Sequence, residues 1–420
     1  MRLKTAATTL VLLLMAGSAG AQFQYTAPGG PEEKPASRQE ALALELSRAR
    51  YRLGPLRVAP WAALHDVAYV RSLLTSGQQL PGDFTATAGA GFHAYLRNGP
   101  KVTWNADVLP EYVWWRKQAS RRRVDGRYLL GFHGFFNRLT VEATAGRQQR
   151  LRIVTPEVPV LASSRQDSAE VLAELELSAA VFAFASAAVD EQTNLVDVIE
   201  DPRLASLRLL DRRERVTRGG LRWQPRQELS VALGVEGSRV DFARTALPRS
   251  NSGTAPLVQL RYRSRRLGFS AELASRSLSA RQGSDFVPYH QTTGNAALEL
   301  GTGHRFGGSL YASRNLLYAL TPGYAYLQDD RVGMVLRAGL SRLFAGRVFA
   351  ETGTDDYTAF TAGVPHRRDD VSSFGAGLDF RLGEDVTFGL QAVRSRFVPN
   401  LPIGTRTFTS AGVTVSLGAR

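Results

Sequence analysis

Over most of this chain hydrophobic and polar residues alternate with a period of two. From Phe374 to Leu382, one face carries Phe374, Ala376, Leu378, Phe380 and Leu382, and the other carries Gly375, Gly377, Asp379 and Arg381. Between Arg331 and Leu340, Val332, Met334, Leu336, Ala338 and Leu340 share a face opposite Arg331, Gly333, Val335, Arg337 and Gly339. Leu229, Val231, Leu233 and Val235 alternate with Ser230, Ala232, Gly234 and Glu236, and Val258, Leu260 and Tyr262 with Gln259, Arg261 and Arg263. Alternation sustained over about nine to eleven residues suits a tilted strand crossing a bilayer.

A soluble β-sandwich alternates too, so the connections carry the decision. Short ones are predicted at Arg97-Asn98-Gly99-Pro100, Asn137-Arg138, Ser178-Ala179-Ala180, Pro225-Arg226-Gln227, Ser264-Arg265-Arg266, Gly303-His304, Ala345-Gly346 and Gly383-Glu384. Longer, more polar ones are predicted near 117–124, 148–167, 191–213, 241–253, 279–290, 319–328, 358–369 and 397–405, with Leu204 to Leu210 a candidate loop helix. Tight turns alternating with long loops are the rhythm of outer-membrane barrels, whose turns face the periplasm and whose loops face outward. Eight short-turn hairpins give sixteen strands. A first strand near 57–72 and a last near 405–418 then pair with each other, which makes eighteen, with sixteen as the alternative. The expected fold is an all-β, antiparallel, up-and-down transmembrane barrel. Tyr112, Trp114, Trp115, Tyr318, Tyr324 and Tyr326 are candidates for its aromatic girdles.

The N-terminus reads as an export signal. Arg2 and Lys4 precede an apolar core at Val11 to Met15, and Ala19-Gly20-Ala21 offers a small-residue cleavage site before Gln22. Residues 1–21 are therefore assigned to a signal peptide, 22–55 to a flexible leader with a periplasmic helix, and 56–420 to the barrel. The helix is predicted over about 38–53. Ser37-Arg38-Gln39-Glu40 forms a capping box before it, and Gly54-Pro55 ends it.

Composition changes the picture in two respects. Cysteine is absent, so an exported chain of 420 residues must be held by packing and backbone hydrogen bonds. The formal charge is +14, and 48 of the 52 basic residues are arginine. Such a balance suits anionic partners, here lipopolysaccharide phosphates or acidic polysaccharide rather than nucleic acid. Barrel assembly machinery is a further expected partner.

Chemistry-bearing motifs are missing. No H-E-x-x-H, G-x-S-x-G or P-loop occurs, and Gly301 to Gly307 has the wrong spacing for a dinucleotide fingerprint and reads as a turn. His65, His93, His133, His290, His304 and His366 show no metal-ligand spacing. His65 and Asp66 are adjacent, and in a regular strand they would point to opposite faces. An enzyme, a cofactor and a metal are not expected. The informative residues are basic. Arg261, Arg263, Arg331, Arg337 and Arg381 fall on the predicted lumen register, as do Glu236, Glu272, Glu299 and Asp379. Arg121-Arg122-Arg123 falls in a predicted extracellular loop, as candidate contacts for lipopolysaccharide phosphate.

From Leu56 onward the chain resembles a family of outer-membrane β-barrel porins that includes barrels encoded beside exopolysaccharide synthesis genes. The resemblance rests on Gly54-Pro55-Leu56-Arg57-Val58-Ala59-Pro60, Asp66-Val67-Ala68-Tyr69-Val70, Gly82-Asp83-Phe84-Thr85-Ala86-Thr87-Ala88-Gly89-Ala90-Gly91, Glu111-Tyr112-Val113-Trp114 and Phe136-Asn137-Arg138-Leu139-Thr140. Ser313-Arg314 and Ala376-Gly377-Leu378-Asp379 are similar as well. It implies passage of polysaccharide or another polar solute across the outer membrane, without assigning substrate residues. One departure is the closing stretch, where Val413, Val415 and Leu417 alternate but no terminal aromatic follows. The expected function is a channel for polar or anionic solutes, exopolysaccharide among them. The alternative is a non-conducting barrel whose basic loops bind envelope polysaccharide.

Overall fold

Strands that face oil on one side and water on the other leave no free edge only when the sheet closes on itself. The computed structural model describes residues 42, 45–47, 49–73, 79–196, 202–243, 249–264, 266–301, 305–341, 343–382 and 386–417. Its strands, in chain order, are β1 (Tyr51–Leu53), β2 (Leu56–Leu73), β3 (Gln79–Asn98), β4 (Val102–Trp115), β5 (Arg123–Phe135), β6 (Leu139–Thr155) and β7 (Val158–Ser178). Next come β8 (Val181–Asn194), β9 (Arg212–Arg226), β10 (Leu229–Phe242), β11 (Asn251–Arg263), β12 (Leu267–Ala280) and β13 (Tyr289–Leu300). The last are β14 (Phe306–Tyr318), β15 (Tyr324–Gly339), β16 (Phe344–Ala359), β17 (Arg368–Leu382), β18 (Val386–Pro399) and β19 (Arg406–Leu417). Strands β2 to β19 each pair antiparallel with the next, and β19 pairs with β2. The eighteen-stranded barrel is closed by the two strands expected to close it.

The predicted faces hold. Leu233, Val235, Val332, Met334, Leu336, Phe374 and Leu390 are exposed on the outer wall. Alternating with them, Ala232, Glu236, Arg331 and Val393 are buried on the inner one. Strands of 12 to 21 residues exceed the membrane-crossing minimum, most of all β3 and β7.

Several boundaries differ from expectation. Ala345-Gly346 lies inside β16, paired with Gly339 and Ala338, and the turn is at 340–343, because Phe344 continues the outward apolar row against Phe380. Helical residues occur at 42 and 45–47, but Tyr51–Leu53 pairs with β2 across a two-residue hairpin loop at Gly54-Pro55. Gly54 has φ +61°, which such a tight loop requires and glycine supplies without strain. The signal peptide lies outside the described residues.

The largest difference is at 148–167, where a polar loop was expected. There β6 and β7 run on to a two-residue turn at Pro156-Glu157. Leu151-Arg152-Ile153-Val154 and Val158-Pro159-Val160-Leu161-Ala162 are apolar at nearly every position. A strand of that kind is covered on both faces, so this hairpin leaves the wall and enters the lumen.

Candidate functional site: a hairpin across the lumen

The hairpin tip divides the outer half of the lumen. On one face Leu151, Ile153 and Leu161 pack with Ala68, Val70, Val113, Trp115 and Phe408 of β2, β4 and β19. On the other, Val154, Val158, Val160 and Ala162 pack with Leu204, Leu207 and Leu210 of the 3-10 helix Pro202–Leu210 and with Tyr318, Leu320 and Tyr326. Alternate residues thus hold opposite walls, as the pleat of a strand dictates. The loop helix anticipated over 204–210 is present, and its leucines are what the hairpin leans on.

The tip is latched at its far end. Glu157 accepts hydrogen bonds from the backbone N–H of Leu320 and of Thr321 (3.1 Å) and from Thr321 Oγ1 (2.5 Å), in the β14–β15 connection eight strands round the barrel from β7. Arg367 Nη1 lies 3.7 Å from the Glu157 carboxylate and donates to Thr321 Oγ1 at 2.7 Å. Its Nε and Nη2 clasp Asp369 at 3.0 and 2.7 Å, and its guanidinium sits 4.0 Å over the Tyr357 ring. Arg406 pairs with Asp369 and donates to the Glu157 carbonyl at 3.3 Å. Arg249, in the 243–250 connection, is buried near Glu157, and burial brings its pKa down to about 10, so it stays cationic at neutral pH. Glu157, Arg367, Asp369 and Arg406 are all buried. Buried carboxylates are tolerable only when paired and hydrogen-bonded, and here each is.

The inner half of the lumen is polar and unevenly charged. On β2 to β5, His65 meets Asp66 (2.9 Å) and Glu111 (2.7 Å), and Asp107 takes Arg127 (2.6 Å) and His93 (3.4 Å). His65 and Asp66 do come together, contrary to expectation. A β-bulge between His65 and Ala68 puts Asp66 at φ +55°, which turns both side chains inward, and Thr87 Oγ1 donates to Asp66 at 3.2 Å. From β9 to β17 both signs occur, with Glu272, Glu299 and Asp379 among the arginines at the short-turn end. Arg261 and Arg337 are exposed to the lumen, and Arg263 and Arg381 are half-buried on the same register, near the short-turn end. Arg347, which the sequence reading did not single out, faces Arg337 across the β15–β16 pair.

Arg331 plays a different part. It is 3 % exposed, bridging Asp329, Asp355 (2.6 Å) and Glu351 (3.7 Å), so its charge is spent within the wall. Arg218 and Arg276 bind Glu236 at 2.7 and 3.0 Å, and Arg222 binds Glu174 at 2.5 Å, which accounts for much of the remaining inward charge.

The arginine triplet of the β4–β5 connection does not present three outward charges. Arg121 is buried with its guanidinium 5.3 Å from the Trp115 ring, and Arg123 donates to the Leu195 carbonyl at 2.8 Å; both line a small cavity with Ser163 and Leu204. Arg122 alone stays exposed, held by the Trp115 carbonyl (2.8 Å) and lying over Trp114. The girdle assignment splits likewise. Tyr112 and Trp114 face outward, whereas Trp115, Tyr318 and Tyr326 are buried in the clusters that hold the hairpin and Tyr324 is buried against Leu327 and Tyr357.

At the short-turn end Tyr95 donates to Glu45 at 2.9 Å and Arg57 to the Leu46 carbonyl at 3.4 Å, so residues 45–47 lie against the inner wall of β2 and β3. No helix among the described residues is long and apolar enough to cross a membrane, and no three His, Asp or Glu side chains among the described residues come together as a metal site.

No family model matches the chain, and no curated protein does. Solved structures do. The barrel is similar to OccK2 (OpdF) of Pseudomonas aeruginosa, with TM-score 0.53, 9% identity, and coverage of 87% of this chain and 97% of that one. It is similar to OccAB3 of Acinetobacter baumannii, with TM-score 0.51, 10% identity, and 86% and 98% coverage. OpdQ of P. aeruginosa gives TM-score 0.51 at 8% identity, with 86% and 97% coverage. What they share with this chain is the closed β-barrel fold.

Proposed function

We propose that this chain is an outer-membrane channel for small polar solutes, with a preference for anions. Its basic inner wall would supply the preference, and the β6–β7 hairpin would set the size limit. The observation that carries this is the placement of Arg261, Arg263, Arg337 and Arg381 on the lumen register at the short-turn end, while the carboxylates Glu111 and Asp107 of β4 are paired with His65 and Arg127. Rings of arginine favour anions in pores. Export through a cleaved signal peptide is part of the same reading.

Exopolysaccharide is the second candidate cargo, and the hairpin weighs against it. A polymer would have to displace a segment packed on both faces and latched by Glu157. The same latch is the observation behind a second reading, a closed barrel that binds envelope polysaccharide through its loops.

Planar-bilayer recording separates these. A channel gives stable conductance with a reversal potential favouring the anion. Replacing Arg261, Arg263 and Arg337 together with Gln should move that potential toward non-selectivity. An unchanged potential would reject the arginine wall, and absence of conductance would favour the closed barrel.

A further inference from the structure

The outer wall carries a second basic feature, unconnected with the lumen. At the loop end of β17, β18, β19 and β2, the register aligns Phe374, Arg394, Thr409 and Arg71 in one outward row. Arg396 and Thr407 lie in the next row toward the loops. Arg71, Arg394 and Arg396 are exposed, and among the described residues none has a hydrogen bond or ion pair. Other outward arginines at this end are neutralised in place: Arg147 by Asp167 (2.5 Å), Arg239 by Asp241 (3.0 Å) and Arg314 by Asp330 (2.7 Å). Asp370, the nearby outward carboxylate, lies 3.9 Å from Arg368.

Below this row, toward the membrane, come Ala376, Ala392, Ala411 and Tyr69, then Leu378, Leu390 and Val413. The three arginines therefore sit where the lipid-facing band ends. Arginine on a lipid-facing wall costs about 2–4 kcal/mol at mid-membrane and roughly nothing to 1 at the interface, so this is the depth at which such a patch is tolerated. Arg71 and Arg394 flank Thr409 on either side, two strand spacings or about 10 Å apart, a span suited to a ligand with more than one anionic group. Guanidinium groups meet phosphate oxygens in bidentate pairs.

We infer that this patch binds the phosphorylated head of an outer-leaflet glycolipid. Arg71, Arg394 and Arg396 take the phosphate oxygens, Thr407 and Thr409 donate hydroxyl hydrogen bonds, and the short side chains of Ala376, Ala392 and Ala411 let an acyl chain lie against the wall. The site rests on the outer-membrane placement of the barrel and not on conduction through it.

Native mass spectrometry of the folded barrel in detergent tests it, with bisphosphorylated lipid A, dephosphorylated lipid A and phosphatidylglycerol as probes. The expected result is at least tenfold tighter retention of bisphosphorylated lipid A than of either other lipid. An R71Q/R394Q/R396Q variant should lose that preference, and an R71K/R394K/R396K variant should keep most of it. An R147Q/R239Q/R314Q control should behave as the unaltered chain. Equal retention of phosphorylated and dephosphorylated lipid A, or a preference that survives in the Gln variant, would overturn the assignment. Equal retention of phosphatidylglycerol would overturn the glycolipid in favour of a general anionic-lipid surface. The comparison among lipids uses the unaltered chain, so it stands whether or not a variant folds, and conductance is expected to be the same in every variant.

Discussion

Glu157 and Thr321, 164 residues apart in the chain, meet across the barrel, with the carboxylate accepting from the Thr321 backbone N–H at 3.1 Å and from its hydroxyl at 2.5 Å. A wall hairpin that ends against the opposite wall is a partition, and its strength depends on that contact. Arg367 and Arg406 complete it, and Asp369 is shared between them.

Release of the latch should widen the path. Glu157→Ala leaves the Leu320 and Thr321 N–H groups without their acceptor while Arg367 keeps Asp369, and a buried donor left unsatisfied costs about 1–3 kcal/mol. Single-channel conductance is expected to rise severalfold, with frequent transitions between levels. A conductance identical to that of the unaltered chain would show that the hairpin does not limit passage.

Locking it should do the opposite. Because the chain has no cysteine, the pair Glu157→Cys and Thr321→Cys is chemically alone, and a short dithiol-reactive cross-linker can join it. The expected outcome is suppression of the open-level transitions seen in the uncrosslinked double variant. Persistence of those transitions after complete cross-linking, scored by mass, would count against hairpin movement.

Arg331 should matter for stability and not for selectivity. Arg331→Gln strands Asp329, Glu351 and Asp355, which lie at 6, 5 and 0 % exposure, at a cost of about 3–5 kcal/mol. Urea unfolding of the folded barrel should show the loss, while the reversal potential moves less than in the variant lacking Arg261, Arg263 and Arg337. The reverse ranking would place Arg331 in the conduction path.

The bulge at Asp66 gives a backbone test. With φ +55°, Asp66→Asn loses the ion pair with His65 but keeps a residue that tolerates the left-handed region, whereas Asp66→Val loses the pair and should cost about 1–2 kcal/mol or more beyond it in backbone strain. Equal urea midpoints for the two variants would mean that the bulge relaxes and that the His65–Asp66 contact is not fixed by the backbone.

The register that Arg261, Arg263, Arg337 and Arg381 share is readable because alternation is local: an apolar neighbour at i±1 takes one side of the strand, and the arginine takes the other. The pairing of Arg331 with Asp355 is not, since it depends on which residue of β16 stands beside it, a question of register. His65 and Asp66 were misjudged because one bulge breaks the period of two. The hairpin had a signal that went unused, namely the run Val158-Pro159-Val160-Leu161-Ala162, apolar on both faces where a wall strand is apolar on one.

By itself the sequence determined the barrel, an even number of strands at eighteen or sixteen, and its closure by the first and last of them. All of these follow from a two-residue period and from the lengths of connections. Only the tertiary structure decided that one hairpin turns inward, that Glu157 finds Thr321, and which inward charges are spent on one another. Those outcomes depend on segments up to eight strands apart meeting in space, and no local pattern encodes that meeting.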